Sequence, residues 1–528
     1  MPKVLISDKL SPAAVEIFRS RGIEVDIKTG LSPADLRAII GEYDGLAIRS
    51  ATKVTKELLD VAANLKVVGR AGIGVDNVDV RSATARGVVV MNTPLGNTIT
   101  TAEHAIAMMF ALARQLPEAS ASTKAGKWEK NRFMGVELTA KVLGLIGCGN
   151  IGSIVADRAV GLKMRVLAYD PYLSEKRALE LGVEKADLDA ILARADFITL
   201  HTPLTESTRN ILSRETLSRT KKGVRIINCA RGGLVDEEAL ADLIKSGHIA
   251  GAALDVFEVE PAKESPLFAL ENVVCTPHLG ASTAEAQENV ALQVAEQMSD
   301  FLLTGAVTNA INMASVSAED APRLKPYLDL CKSLGAFAGQ LTQAREGMLR
   351  KVTIEYEGQA AHLNTKPLTA AMLAGLVSPM MEGVNMVNAG VMAREHGIEV
   401  AETVHDRPTE YLTLVRVTVE TDKMTRSVAG TLFAGQRPRI VEIKGIKVEA
   451  DFARYMLYVT NQDKPGFIGR FGVTLAEHGI NIATFHLGRA AQGGDAICLV
   501  SVDEPVPEAV LATVRGLPLV VQATGLAF

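Results

Sequence analysis

The sequence predicts an α/β chain: two doubly wound, Rossmann-like units, one of them discontinuous, then an α+β segment and a ferredoxin-like βαββαβ unit. Three observations predict this. The apolar run 142–146 turns into Gly147-Cys148-Gly149-Asn150-Ile151-Gly152 and a helical pattern, and a second β-rich run ends at Asp170. Strand and helix patterns alternate strictly from Lys141 to about residue 280. The last 76 residues read strand, helix, strand, strand, helix, strand.

In chain order, residues 1–98 place short apolar strands at 4–6, 25–27, 45–48, 67–68 and 88–90 between helical patterns, a small α/β unit. A long helix is expected to start at Thr100, where Thr100 and Glu103 have capping-box spacing. Residues 99–284 form the nucleotide-binding unit, and the helical pattern 284–303 is expected to return to the first unit, which therefore comprises 1–98 and 285–310. Periodicity is lost over 311–322, a linker. Beyond it, 318–450 reads as an α+β segment with two long helical patterns and the β-rich run 412–421. The Met-rich run 378–392 has helical spacing and should fill a core. The final unit spans 453–528.

Composition narrows the function classes. A length of 528 residues exceeds what one core supports. A net charge of −5 argues against a nucleic-acid partner. No uncharged apolar stretch approaches the ~20 residues that span a bilayer, and the first residues, MPKVLISDKL, lack a signal-peptide core. The five cysteines are scattered without CxxC pairs, so neither a disulfide framework nor a metal site is expected. A cytoplasmic protein with reduced thiols follows. Cys148 and Cys229 have no base nearby in sequence that would make either a nucleophile.

Each part of the 147–152 loop has a physical task. Gly147 allows the tight turn, Gly149 lets the backbone approach a pyrophosphate, and Gly152 lets the helix pack on the sheet. The helix start offers free N–H groups and a positive dipole end. Asp170 lies 18 residues past Gly152, placed to accept from the adenosine ribose hydroxyls. Pro171 and Tyr172 follow it rather than a basic residue, which favours NAD over NADP.

Three later segments end strands where a doubly wound sheet opens its ligand crevice. Residues 224–236 end in Arg231 and two glycines, 252–261 carry Asp255 and Glu260, and 273–283 carry His278. Histidine can move a proton near neutrality, a carboxylate beside it fixes its tautomer, and arginine clamps a carboxylate. His104, on the Thr100 helix, is expected to pack rather than act as a base. In the first unit Arg49-Ser50 and Arg70 to Gly72 stand at strand ends, and Asn97 and Arg132 are further candidates for substrate contact. More than one arginine suits a substrate with a carboxylate and a phosphate.

On these residues the chain resembles the D-2-hydroxyacid dehydrogenase family: the nucleotide fingerprint, NCARGG, DVFEVEP and TPHLGAST occur together across residues 1 to about 310. The resemblance implies that Arg231, Glu260 and His278 are the catalytic trio, and that Asp255 stands on the nicotinamide carboxamide side. It implies that Asn150, Ile151, Thr202, Cys229, Ala230, Gly280 and Ala281 join the glycines and Asp170 around NAD. Residues 453–528, with DKPGFIG and HGINI, resemble an ACT domain, a module that commonly binds an amino acid. The order dehydrogenase, intervening segment, ACT resembles the long form of the family, which implies 3-phosphoglycerate as substrate, entry into serine synthesis, a homotetrameric dimer of dimers, and L-serine as an effector near Asp463 and Asn481. Two other readings remain open: a dehydrogenase for another 2-hydroxy acid, and a non-catalytic NAD-sensing scaffold.

Overall fold

The computed structural model describes every residue except 317–318, 344–346 and 406–409, so two positions of the expected linker lie outside the described residues. Four sheets follow one another. The first holds β1 (Lys3–Ile6), β2 (Glu24–Ile27), β3 (Gly45–Ile48), β4 (Val67–Arg70) and β5 (Val89–Met91) in the parallel order β2-β1-β3-β4-β5. The second holds β6 (Val142–Ile146), β7 (Arg165–Tyr169), β8 (Glu184–Lys185), β9 (Phe197–Leu200), β10 (Val224–Asn228), β11 (Ile249–Leu254) and β12 (Val273–Cys275). Their order is β12-β11-β10-β9-β6-β7-β8. The chain leaves β6 in one direction through β7 and β8 and in the other through β9 to β12, so a crevice opens between β6 and β9.

The helix Ala284–Thr304 returns to the first sheet. Its Val290, Ala291, Val294 and Met298 share a core with Val4, Phe18 and Val67. The fit is close enough that a Cβ on Gly69 would overlap the Met298 sulfur, so β4 needs glycine there. The helix Thr98–Arg114 packs Ala102, Ala105, Met109 and Leu112 onto the second sheet. It starts at Thr98, not Thr100, and the expected capping box does not form: Thr100 pairs with Thr283 (3.2 Å) and Glu103 faces Arg158. The carbonyl of Asn97 already accepts from both the N–H and the hydroxyl of Thr101, which draws the helix back by a residue or two.

The third sheet holds β13 (Leu349–Gly358), β14 (Glu399–His405), β15 (Thr413–Thr421), β16 (Thr425–Phe433), β17 (Arg437–Ile443) and β18 (Ile446–Asp451), in the order β14-β13-β15-β16-β17-β18. The helices Ala321–Gln343 and Thr365–Val377 cover one face. The Met-rich run does not form the expected helix; turns fill most of it, and only Ala389–Glu395 is helical. Asn385 and Asn388 spend their side chains on nearby backbone, an alternative to the helical ladder, and also reach the carbonyls of Gly87 and Ala85 in the first unit.

The fourth sheet, β19 (Tyr455–Gln462), β20 (Ile482–Arg489), β21 (Asp495–Val502) and β22 (Val520–Ala527), runs β20-β21-β19-β22, with helices Phe467–Glu477 and Glu508–Arg515 between strands in the βαββαβ order. No helix among the described residues is long and apolar enough to cross a membrane.

Candidate active site

The strand ends of both parallel sheets face a cavity of about 390 Å³. The loop 147–152 forms one wall. Gly147 has φ +92°, and a Cβ on Gly152 would overlap the Gly147 carbonyl, so both glycines are dictated by the turn and the close helix. Gly149, Asn150, Ile151, Thr202, Cys229, Ala230, Gly280 and Ala281 all line the cavity. Asp170, at the end of β7, receives the Cys148 N–H (2.8 Å) and the Tyr172 N–H (2.8 Å), which fixes its carboxylate beside the glycine loop. Burial pushes the thiols of Cys148 and Cys229 up, with nearby acids adding to it, so both stay protonated and neither is a nucleophile.

Three loops set the chemical groups. After β10, Asn228 bridges the turn by accepting from Ala230 N–H (3.1 Å) and donating to the Arg231 carbonyl (2.9 Å). Gly232 follows because a Cβ there would overlap the Phe257 carbonyl. After β11, the N–H of Phe257 donates to Glu260 Oε1 (3.1 Å). After β12, His278 Nδ1 donates to Glu260 Oε2 at 2.7 Å, leaving Nε2 without a hydrogen bond among the described residues. Hydrogen bonding to Glu260 raises the His278 imidazole above its ordinary value, against the opposing effect of burial. Burial pushes Glu260 up, but His278 and the Phe257 N–H prevail and hold it below the usual carboxylate range. His278 and Arg231 line the cavity of about 390 Å³, and His278 borders a neighbouring one as well. Glu260 and Ser50 line that second one, of about 570 Å³, behind the pair.

Asp255 is fully buried and stands under the His278 loop. Its carboxylate accepts from the N–H groups of Leu279 (2.7 Å) and Gly280 (2.8 Å), from Thr276 Oγ1 (2.6 Å) and from His104 Nε2 (3.3 Å). Burial pushes it up, but these donors outweigh burial and keep it below the usual range. The oxygens expected to face a carboxamide are thus engaged in holding the loop. His104 packs, as its place on the helix implied, and it does so as a support of Asp255.

Arg70 is the strongest anion candidate in the first unit. Burial pushes its guanidinium down to about 10, with repulsion from Arg231 adding to it, and its Nε has no partner among the described residues. Asn97 Oδ1 is likewise buried without a partner, and both residues line the cavity of about 390 Å³. Gly72, at φ +146°, donates its N–H to Thr93 (2.7 Å) beside them. Two expected contacts are not brought in. Arg49 donates its backbone N–H to Asp8 (2.6 Å) and its side chain is no part of the cavity wall. Arg132 pairs with Glu129 (3.1 Å) and Glu271 (3.0 Å), away from it. Asp463 is engaged by Gly493 N–H (3.0 Å) and Arg489 (2.9 Å), and Asn481 donates to Asp503 (2.8 Å).

Two wall residues escaped the sequence reading. His201, just past β9, is half-buried with its Nδ1 enclosed; burial pushes it down to about 4, and its Nε2 meets Thr199 (2.9 Å). Its strand-end place in FITLHTP was the available signal. Asp76, in the loop after β4, donates nothing but accepts from Arg231 (3.1 Å). An acid within the loop GIGVDN was the signal there.

Residues 106–280 match the D-isomer specific 2-hydroxyacid dehydrogenase NAD-binding domain. Residues 323–444 match the D-3-phosphoglycerate dehydrogenase intervening domain, and 455–519 the ACT domain. A structure of a protein from Thermus thermophilus superposes with TM-score 0.54 at 36% identity, covering 58% of this chain and 99% of its own. A D-lactate dehydrogenase from Aquifex aeolicus, complexed with NAD and lactic acid, does so with TM-score 0.53 at 26% identity over 59% of this chain and all of its own. By fold and site, then, the chain is a D-isomer specific 2-hydroxyacid dehydrogenase by family. The D-3-phosphoglycerate dehydrogenase of a Synechocystis species is 44% identical over 97% of this chain and 92% of its own. That of Bacillus subtilis is 42% identical over 99% and 98%. The chain belongs to the D-3-phosphoglycerate dehydrogenase family.

Proposed function

We propose that the protein oxidises D-3-phosphoglycerate at C2 to 3-phosphohydroxypyruvate with NAD, the entry into serine synthesis. One observation carries it: the His278–Glu260 pair and Arg231 converge on a cavity that also exposes the glycine loop and Arg70, whose buried Nε has no partner among the described residues. His278 Nε2 accepts the C2 hydroxyl proton, because its Nδ1 is committed to Glu260. The Glu260 carboxylate then balances the imidazolium. Arg231 holds the substrate carboxylate and draws charge onto the developing carbonyl oxygen. Arg70 and Asn97 take the remaining anionic end. NAD, when bound along the glycine loop with its ribose on Asp170, supplies the hydride acceptor for C2.

The test is NADH formation from NAD with a panel of 2-hydroxy acids. Reaction with 3-phosphoglycerate and little with D-lactate is expected. Silence across the panel would instead favour the scaffold reading.

L-Serine is the proposed effector, at the Asp463 and Asn481 end of the module, on the strength of the ACT match. A homo-oligomer, a dimer of dimers, is part of the proposal; Trp128 (87%) and Met134 (79%), exposed on one connecting segment, are apolar groups that an interface there would cover. Five free cysteines fit a cytoplasmic setting.

A further inference from the structure

We propose that Asp76 is a positioning residue for Arg231: it binds the guanidinium across the cleft, so that the edge left free faces the substrate carboxylate. The inference rests on the role given to Arg231 above. Asp76 belongs to the loop after β4, on the first sheet, whereas Arg231 follows β10 on the second. Arg231 Nε donates to Asp76 Oδ2 at 3.1 Å, and Nη1 donates to the Ala230 carbonyl at 2.6 Å. Two of the three nitrogens are therefore fixed from different directions. The third, Nη2, lies so close over Gly74 that a Cβ there would overlap it. A guanidinium recognises a carboxylate through a planar fork, and the fork has value only when its plane is set.

Asp76 is 70% exposed, so the pair adds little to folding stability. Its effect falls on the cleft. Arg70 and Arg231 share the cavity, and Arg231 repels the charge on Arg70 while Asp76 favours it. Without Asp76, two guanidinium groups would face each other with no balancing acid from this loop, and Arg231 would keep only its own neighbour's carbonyl. Glycine at 74 and an acid at 76 are then two halves of one device: room for the fork, and a grip on its stem.

The test is steady-state kinetics on full-length Asp76→Ala and Asp76→Asn, in both reaction directions, with NADH affinity followed by fluorescence. Asp76→Ala should raise KM for 3-phosphoglycerate about tenfold or more, the weight of a charge-assisted hydrogen bond, while NADH affinity stays in place. Asp76→Asn can still accept from Nε and should raise KM less. In an Arg231→Lys background Asp76→Ala should add nothing further, since lysine has no fork to orient. An unchanged or lowered KM in Asp76→Ala, or full additivity with Arg231→Lys, would overturn the proposal. A parent enzyme silent with 3-phosphoglycerate would tell against the reaction itself, whereas an active parent indifferent to Asp76→Ala tells against the positioning alone.

Discussion

The cleft between the first two sheets and the effector end of the C-terminal module treat their polar groups in opposite ways. In the cleft, Arg70 Nε, Asn97 Oδ1 and His201 Nδ1 are buried without partners among the described residues. Leaving such groups unmet costs about 1–3 kcal/mol each, so the cleft holds polarity in reserve for a ligand. In the C-terminal module, Asp463 is engaged by Arg489 and Gly493, and Asn481 by Asp503. An amino acid arriving there must replace bonds already made. The cleft keeps unmet polar groups for its ligand; Asp463 and Asn481 are already engaged, and within the module it is the buried Asn461 Oδ1 that has no partner among the described residues.

Four experiments would break or sharpen this contrast. The largest effect should come from His278→Ala, which removes the proton acceptor and should lower kcat by roughly 10²–10⁴ while NADH still binds. An intact kcat would move the chemistry elsewhere. Next, Arg70→Ala should raise KM for 3-phosphoglycerate by about ten- to a hundredfold. An unphosphorylated 2-hydroxy acid should suffer far less, and equal losses on both substrates would place Arg70 on the carboxylate.

Third, Glu260→Gln should move the pH–rate profile. Oxidation needs neutral His278, so its rate rises as pH climbs through an imidazole pKa that Glu260 has raised. Without that acid the rise should come at lower pH, and in the reducing direction activity should be lost at lower pH too. Superimposable profiles would show the pairing to be idle.

The smallest effect concerns the module. Serine should slow the full-length enzyme, and Arg489→Ala, which frees Asp463 from an exposed ion pair, should tighten the response only a few-fold. A flat titration up to millimolar serine in both chains would remove serine from the account.

Much of this was legible in the residues because it depends on strand ends and glycines. The loop 147–152, Arg231, Glu260 and His278 sit where a doubly wound sheet must put its ligand, and alternating apolar runs locate those strand ends within a residue or two. What escaped depended on distance in sequence. Asp76 meets Arg231 across 155 positions, and no local pattern carries such a pairing. The setting of Asp255 escaped for a related reason: only folding reveals that its oxygens accept from Leu279, Gly280 and Thr276, with His104 beside them. The Met-rich run misled because spacing suited a helix, while its asparagines found better use on loop backbone.

The seam between the third and fourth sheets decides how this chain can be cut. Met456, Tyr458, Ile497, Leu499 and Leu526 lie in one core with Leu334 and Phe337 of the helix Ala321–Gln343. Phe337 meets Tyr458 edge-on at 5.9 Å. The Gln340 side chain reads the Ala527 backbone like a neighbouring strand, donating to its carbonyl and accepting its N–H, both at 2.9 Å. Severing the chain near residue 450 would strip one wall from that core and leave oily surface behind. The two segments should instead melt as a single calorimetric transition, and the place to shorten the enzyme is the joint before Ala321, where both leave together.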